Sequence, residues 1–152
     1  MDNGEGSAGV VPNVKIMALR VLDQLGGLDG GLIGVVTFIL ATDYAANHGA
    51  RIINYSIGGG SPSTIEQDQI QWLYAQGILF VTSAGNGGSD FVGDNNDASP
   101  NYPSSYSVDN IIAVAAVDRS GGLADFSNFG LTSVDLAAPG TDIFGADVAR
   151  ID

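Results

Sequence analysis

The chain has 152 residues, 45% of them hydrophobic, enough for one globular domain with a core and too few for two. It contains no cysteine, which excludes disulfides, thiolate metal sites and a thiol nucleophile. Asp and Glu outnumber Lys and Arg by 17 to 5, a net charge of -12 that repels nucleic-acid phosphates and anionic membrane surfaces and attracts cations.

Residues 2–9 are acidic and Gly-rich, with neither the basic start nor the apolar run of a secretory signal. Residues 14–22 read as a buried strand, ended by a Gly-rich turn over 26–31. Residues 32–47 form too long an apolar stretch for a strand and are expected to be helical. Ile33, Val36, Leu40 and Tyr44 recur at three- and four-residue steps and are expected to face a core, with Gly49 as the C-cap. A short Ile-rich strand over 51–56 follows. Ser63 and Glu66 have the spacing of a capping box that opens a second helix, running to about Gln76 and stopped by Gly77. Residues 78–82, 111–117 and 134–137 are expected as further strands. A long polar loop spans 87–106 and a turn-rich stretch spans 118–130. This alternation implies an α/β fold with a mostly parallel, twisted sheet and right-handed crossovers.

In an open parallel sheet, ligands bind beyond the carboxyl ends of the strands. Two segments leave those ends: Ser56-Ile57-Gly58-Gly59 and Ser83-Ala84-Gly85-Asn86-Gly87. The small residues around Asn86 let a ligand backbone approach, and its side-chain amide can donate to a charge developing on oxygen. Taken alone, Gly85-Asn86-Gly87 is equally readable as a loop in which Asn tolerates unusual backbone angles. Gly58-Gly59-Gly60-Ser61 before a helix suggests a phosphate cradle, but the G-x-G-x-x-G spacing and a P-loop Lys are missing.

Seven segments follow one another along the chain: residues 12–22, Ile52-Ile53-Asn54-Tyr55-Ser56-Ile57-Gly58-Gly59, Ala84-Gly85-Asn86, Tyr102-Pro103, residues 111–118, Phe126-Ser127-Asn128 and Val134-Asp135-Leu136-Ala137-Ala138-Pro139-Gly140. In that order they resemble a subtilisin-like serine peptidase. The resemblance implies a three-layer fold with helices on both faces of the sheet, here incomplete, with residues 1–152 as a partial peptidase domain. It implies that Asn86 is the oxyanion-hole Asn. It also implies that Ser56, Ile57 and Gly58 pair with substrate backbone, that Ala84 and Gly85 wall the specificity pocket with Gly87 and Asn101 nearby, and that Gly26 and Gly27 line the opposite substrate-binding edge. No cofactor is required for the chemistry. Calcium is expected from the family's habit and from the hard donors Asp90, Asp94 and Asp97.

Subtilisin-like enzymes order their triad Asp, His, Ser, and place the first two before the matched region and the Ser after it. Neither the His-Gly-Thr-His type of motif nor the Gly-Thr-Ser-Met type of turn occurs in these residues, so the chain is expected to be inactive alone. The sole histidine, His48, falls at a helix end, where capping is its expected role. The resulting expectation is part of a secreted serine endopeptidase, extracellular or periplasmic at full length, acting on extended peptide or protein substrates. The alternative is a non-catalytic peptide-binding remnant of the same fold. Apolar surface left uncovered is expected to drive self-association.

Overall fold

The computed structural model describes residues 10–11, 13–22, 32–59 and 61–143, without the side chains of Leu32 and Ile33. Helix α1 (Leu32–Asn47) leads into strand β1 (Ile52–Tyr55), helix α2 (Thr64–Ala75) and strands β2 (Leu79–Ser83), β3 (Ile111–Val117) and β4 (Leu136–Pro139). The four strands form one parallel sheet in the order β1-β2-β3-β4. Ile53, Phe80 and Ile111 share one level of the ladder, and Tyr55, Thr82 and Ala113 another. No described helix is long and apolar enough to cross a membrane.

Both helices end as expected from their glycines. Gly49 and Gly77 take φ of +83° and +71°, a left-handed conformation that only Gly adopts at little cost. In each case the last carbonyls are closed by returning amides: Ala50 N–H to Ala45 O at 3.0 Å after α1, and Ile78 N–H to Leu73 O at 3.1 Å after α2. His48 adds the expected cap, its Nδ1 lying 2.8 Å from Tyr44 O with the two rings stacked at 3.9 Å.

The start of α2 departs from a simple capping box. Ser63 Oγ accepts from Glu66 N–H at 3.3 Å, but the return bond to Ser63 N–H comes from the Tyr106 hydroxyl, which accepts it at 2.7 Å. That hydroxyl lies 2.9 Å from Glu66 Oε2 and 3.1 Å from Ser63 O, either of which can take its proton. Burial pushes the Tyr106 phenol up to about 12 and also raises the Glu66 carboxyl, against which the hydrogen bond from Tyr106 acts.

The core gathers Phe38 from α1, Ile70 and Leu73 from α2, Tyr55 and Phe80 from the sheet, and Tyr106 and Val108 from the loop before β3. Phe38 sits edge-on to Tyr55 and Phe80, with centroids 5.0 and 6.0 Å apart. Each such side chain contributes about 1.5–3 kcal/mol by leaving water. Among the described residues both helices therefore pack on one face of the sheet, the face of Tyr55 and Phe80.

Three sequence expectations are corrected. Residues 14–22 form no strand: they pair with none of the four strands, and Val14 and Ile16 are exposed. A strand needs a neighbour to take its N–H and C=O groups, and none is provided there among the described residues. On α1, Val36, Leu40 and Tyr44 face outward, while Phe38, Thr42 and Ala45 are buried. The helix is apolar on most sides, so its periodicity carries little direction. The Phe38 ring and Thr42, whose Oγ1 donates within the helix and accepts from Gln69 of α2 at 3.0 Å, mark the inner face. Strand β4 begins two residues later than expected, because Asp135 opens the ladder with its side chain, Oδ2 accepting from Ala113 N–H at 2.7 Å.

A carboxylate fastens the loop before residue 98 to the turn before β4. Asp97 accepts from the N–H groups of Leu131, Thr132 and Ser133 and from the hydroxyls of Thr132 and Ser133, at 2.7–3.3 Å. The two hydroxyls foremost hold its pKa down at about 2, against the ordinary 3.8. A depressed acid contributes stability that is full above its unfolded pKa and lost as pH falls through the folded one. In thermal melts, the gap between wild type and Asp97→Ala is expected to be constant above pH 3.8 and to close as pH falls towards 2. Asp118, also depressed by Ser120 and Gly122, cancels in that difference. A second expectation concerns Tyr106→Phe, which leaves Ser63 N–H without its acceptor and should cost about 1–3 kcal/mol in urea unfolding.

Candidate functional site

The parallel register brings the carboxyl ends of β1 and β2 to one edge of the sheet, so the chains leaving Tyr55 and Ser83 run side by side. Along the first, Ser56 is exposed, Ile57 packs against the core and Gly58 is exposed. Gly59 N–H donates to Tyr102 O at 2.9 Å. A side chain at Gly58 would press on Tyr102 O at 2.8 Å, so close approach demands Gly there.

Along the second, Ala84 is buried and its N–H donates to Val114 O at 2.8 Å. Its carbonyl accepts from Asn96 Nδ2 at 2.8 Å and Asn101 Nδ2 at 3.3 Å. Gly85 has φ of +115°, and a Cβ there would collide with the Asn101 and Asn128 side-chain amides. Asn86 follows with its side chain exposed and unbonded among the described residues. Gly87, at φ +66°, completes the turn. The geometry joins the two segments through Asn101: its Nδ2 bonds Ala84 O, and its Oδ1 lies 3.3 Å from where a Gly58 side chain would start.

Of the residues singled out in the sequence, Ser56, Ile57, Gly58, Ala84, Gly85 and Asn86 thus share one edge. Gly26 and Gly27 lie outside the described residues. The acidic trio does not converge: Asp90 Oδ1 accepts from Val92 N–H at 3.2 Å, and the Asp97 oxygens are taken by the turn at 131–133. Among the described residues no group of three His, Cys, Asp or Glu side chains is placed to hold a metal, so Asp90, Asp94 and Asp97 do not meet at one point. His48 precedes the amino end of β1, whereas this edge lies at its carboxyl end, and its ring is committed to Tyr44.

Two residues of structural weight at the site had no expected part in holding the Asn86 loop. Asn96 and Asn128 are 1% and 3% exposed, and both bond to the Asn86 loop or its neighbours. Asn128 stood in a matched segment, but nothing in its spacing pointed to a partner 41 residues away.

Comparison with known proteins agrees with this arrangement. The model of the subtilase family matches residues 1–150. A thermophilic serine proteinase from Bacillus sp. strain AK1 is 39% identical over 93% of this chain and 31% of its own length. Subtilisin DY from Bacillus licheniformis is 38% identical over 95% of this chain and 48% of its own. A protease structure from Pseudoalteromonas arctica superposes with a TM-score of 0.69 and 33% identity, over 91% of this chain and 40% of that one. The chain thus spans less than half the length of each. With its parallel sheet, its Gly-flanked Asn86 loop and a family match over nearly its whole length, the chain belongs to the subtilase family of serine peptidases.

Proposed function

We propose that this chain carries the oxyanion and peptide-binding part of a subtilisin-like serine endopeptidase that hydrolyses peptide bonds through a Ser-His-Asp triad in the full domain. The observation that carries the reading is Asn86: an exposed side-chain amide, unbonded among the described residues, on a braced loop at the carboxyl end of β2, beside the Ser56–Gly58 segment. An extended peptide laid along that edge pairs with backbone groups of Ser56 to Gly58 and lies against the Ala84–Gly85 wall. Its scissile carbonyl then meets the Asn86 amide, which donates more strongly as the oxygen gains charge. Extended peptides or proteins are the proposed substrates, and the space outside the cytoplasm is the proposed location at full length.

Residues 1–152 by themselves are proposed to be inactive. A serine-peptidase step needs a positioned base to take the nucleophile's proton. The sole histidine caps α1 with Nδ1 against Tyr44 O, and no Gly-Thr-Ser-Met type of turn is present to supply a nucleophile. This same observation favours a second reading, in which the chain binds peptides without cutting them. Self-association is proposed to run through the exposed apolar side chains Val36, Leu40 and Tyr44 of α1 and Ile52 of β1.

Purified chain is expected to leave a chromogenic peptide anilide uncleaved above the buffer rate, and turnover that follows the chain through purification would contradict this. In a domain completed with the family's triad segments, Asn86→Ala is expected to lower kcat by about 10²–10³-fold with KM little changed, a magnitude borrowed from the corresponding donor of a subtilisin. Full activity in that variant would remove Asn86 from the chemistry.

A further inference from the structure

The loop that presents Asn86 is gripped on both sides by one buried residue. Asn128, 3% exposed, donates its backbone N–H to Gly85 O at 2.9 Å. Its Oδ1 accepts from Gly87 N–H at 2.6 Å and from Asp94 N–H at 3.0 Å. The residues immediately before and after Asn86 are therefore both tied to Asn128.

Behind it stands a second amide. Asn128 Nδ2 donates to Asn96 Oδ1 at 2.9 Å, and Asn96 Nδ2 donates to Ala84 O at 2.8 Å. The bonds run in one sense, from the Gly87 and Asp94 N–H groups through two amides to the Ala84 carbonyl. Reversing either amide would set donor against donor or acceptor against acceptor in a buried place, where an unmade bond is costly. A carboxylate at 128 could accept from Gly87 but could not donate to Asn96. Asn is therefore the side chain that fits the chain of bonds at both positions.

Resting on the oxyanion reading of Asn86 given above, we propose that Asn128, braced by Asn96, is a positioning residue that fixes the Asn86 amide for a tetrahedral oxyanion. It touches no substrate. Preorganised donors stabilise a developing charge because they need not reorient when it forms. A loop of two glycines around Asn86 has little stiffness of its own, and the amide network supplies it.

The test has two arms, both on chain 1–152. The first is amide hydrogen exchange followed by NMR. Asn128→Ala is expected to speed exchange at Gly87 by about tenfold, while the Phe80 amide, bonded to Asn110 O inside the sheet, changes by less than about threefold. Unchanged Gly87 exchange, or an equal rise at Phe80, overturns the proposal. The second arm compares binding of a blocked tetraalanine peptide with its phosphinate isostere, a stable tetrahedral anion. Asn86→Ala is expected to abolish preference for the phosphinate. Asn128→Ala should reduce that preference by at least about threefold, with the plain peptide's affinity held within about twofold. If Asn86→Ala leaves the preference intact, the oxyanion reading fails and this proposal with it. If Asn86→Ala abolishes it and Asn128→Ala does not reduce it, the positioning role alone is overturned. Should Asn128→Ala unfold, Asn96→Ala, which keeps the Gly87 bond but removes its brace, is expected to lower the preference by a smaller factor, and no change there overturns the proposal.

Discussion

Parallel pairing of β1, β2 and β3 is the constraint from which the rest follows. All strands of a parallel sheet point the same way, so Tyr55 and Ser83 release their chains at one edge, and the proposed peptide-binding segment and the proposed oxyanion donor come together without any sequence proximity. The pairing is held from one face by Phe38, Tyr55, Ile70, Leu73 and Phe80, rigid and fully or nearly fully buried. The same constraint separates the edge with Asn86 from the polar cleft near Ser107, Asp109 and Asp135, which lies at the amino end of β3.

At that edge, close approach replaces bulk. Gly58 and Gly85 leave room that side chains would fill, and the loops around them are shaped by polar bonds instead of apolar packing. Such a site is stiff only if its amides and carbonyls are satisfied in one pattern, because a half-satisfied buried network offers several arrangements of similar energy. Asn96, Asn101 and Asn128 close that pattern, and Asp97 closes a neighbouring one outside it. The excess acid of the chain is put to local use here: Asp97 and Asp118 each gather N–H and hydroxyl donors of a turn, which favours their ionised forms.

What could be read from the sequence was local. Helix α1 spans the expected residues, β3 has the expected bounds, and Gly49, Gly77 and Ser63 cap as their neighbours suggest, because each signal lies within four or five residues of its effect. The inner face of α1 was not legible, since a helix apolar on most sides has no preferred stripe until a neighbour chooses it. Residues 14–22 have the composition of a strand, yet strand formation depends on an adjacent edge, which no local pattern records. Asn86 was legible through its glycines and through the order of the matched segments. Asn128, Asn96 and Tyr106 were not, because their partners lie 12 to 43 residues away and an isolated Asn or Tyr in a loop has many ordinary uses.

The central claim is that one edge of the sheet binds an extended peptide beside the Asn86 amide. An NMR titration of chain 1–152 with a blocked extended peptide, read at backbone and Asn side-chain amides, tests it most directly. The account predicts shifts concentrated at residues 56–59 and 84–87, with the Asn86 side-chain amide among them. Shifts confined to the cleft around Ser107, Asp109 and Asp135, or to the outer face of α1, would contradict it.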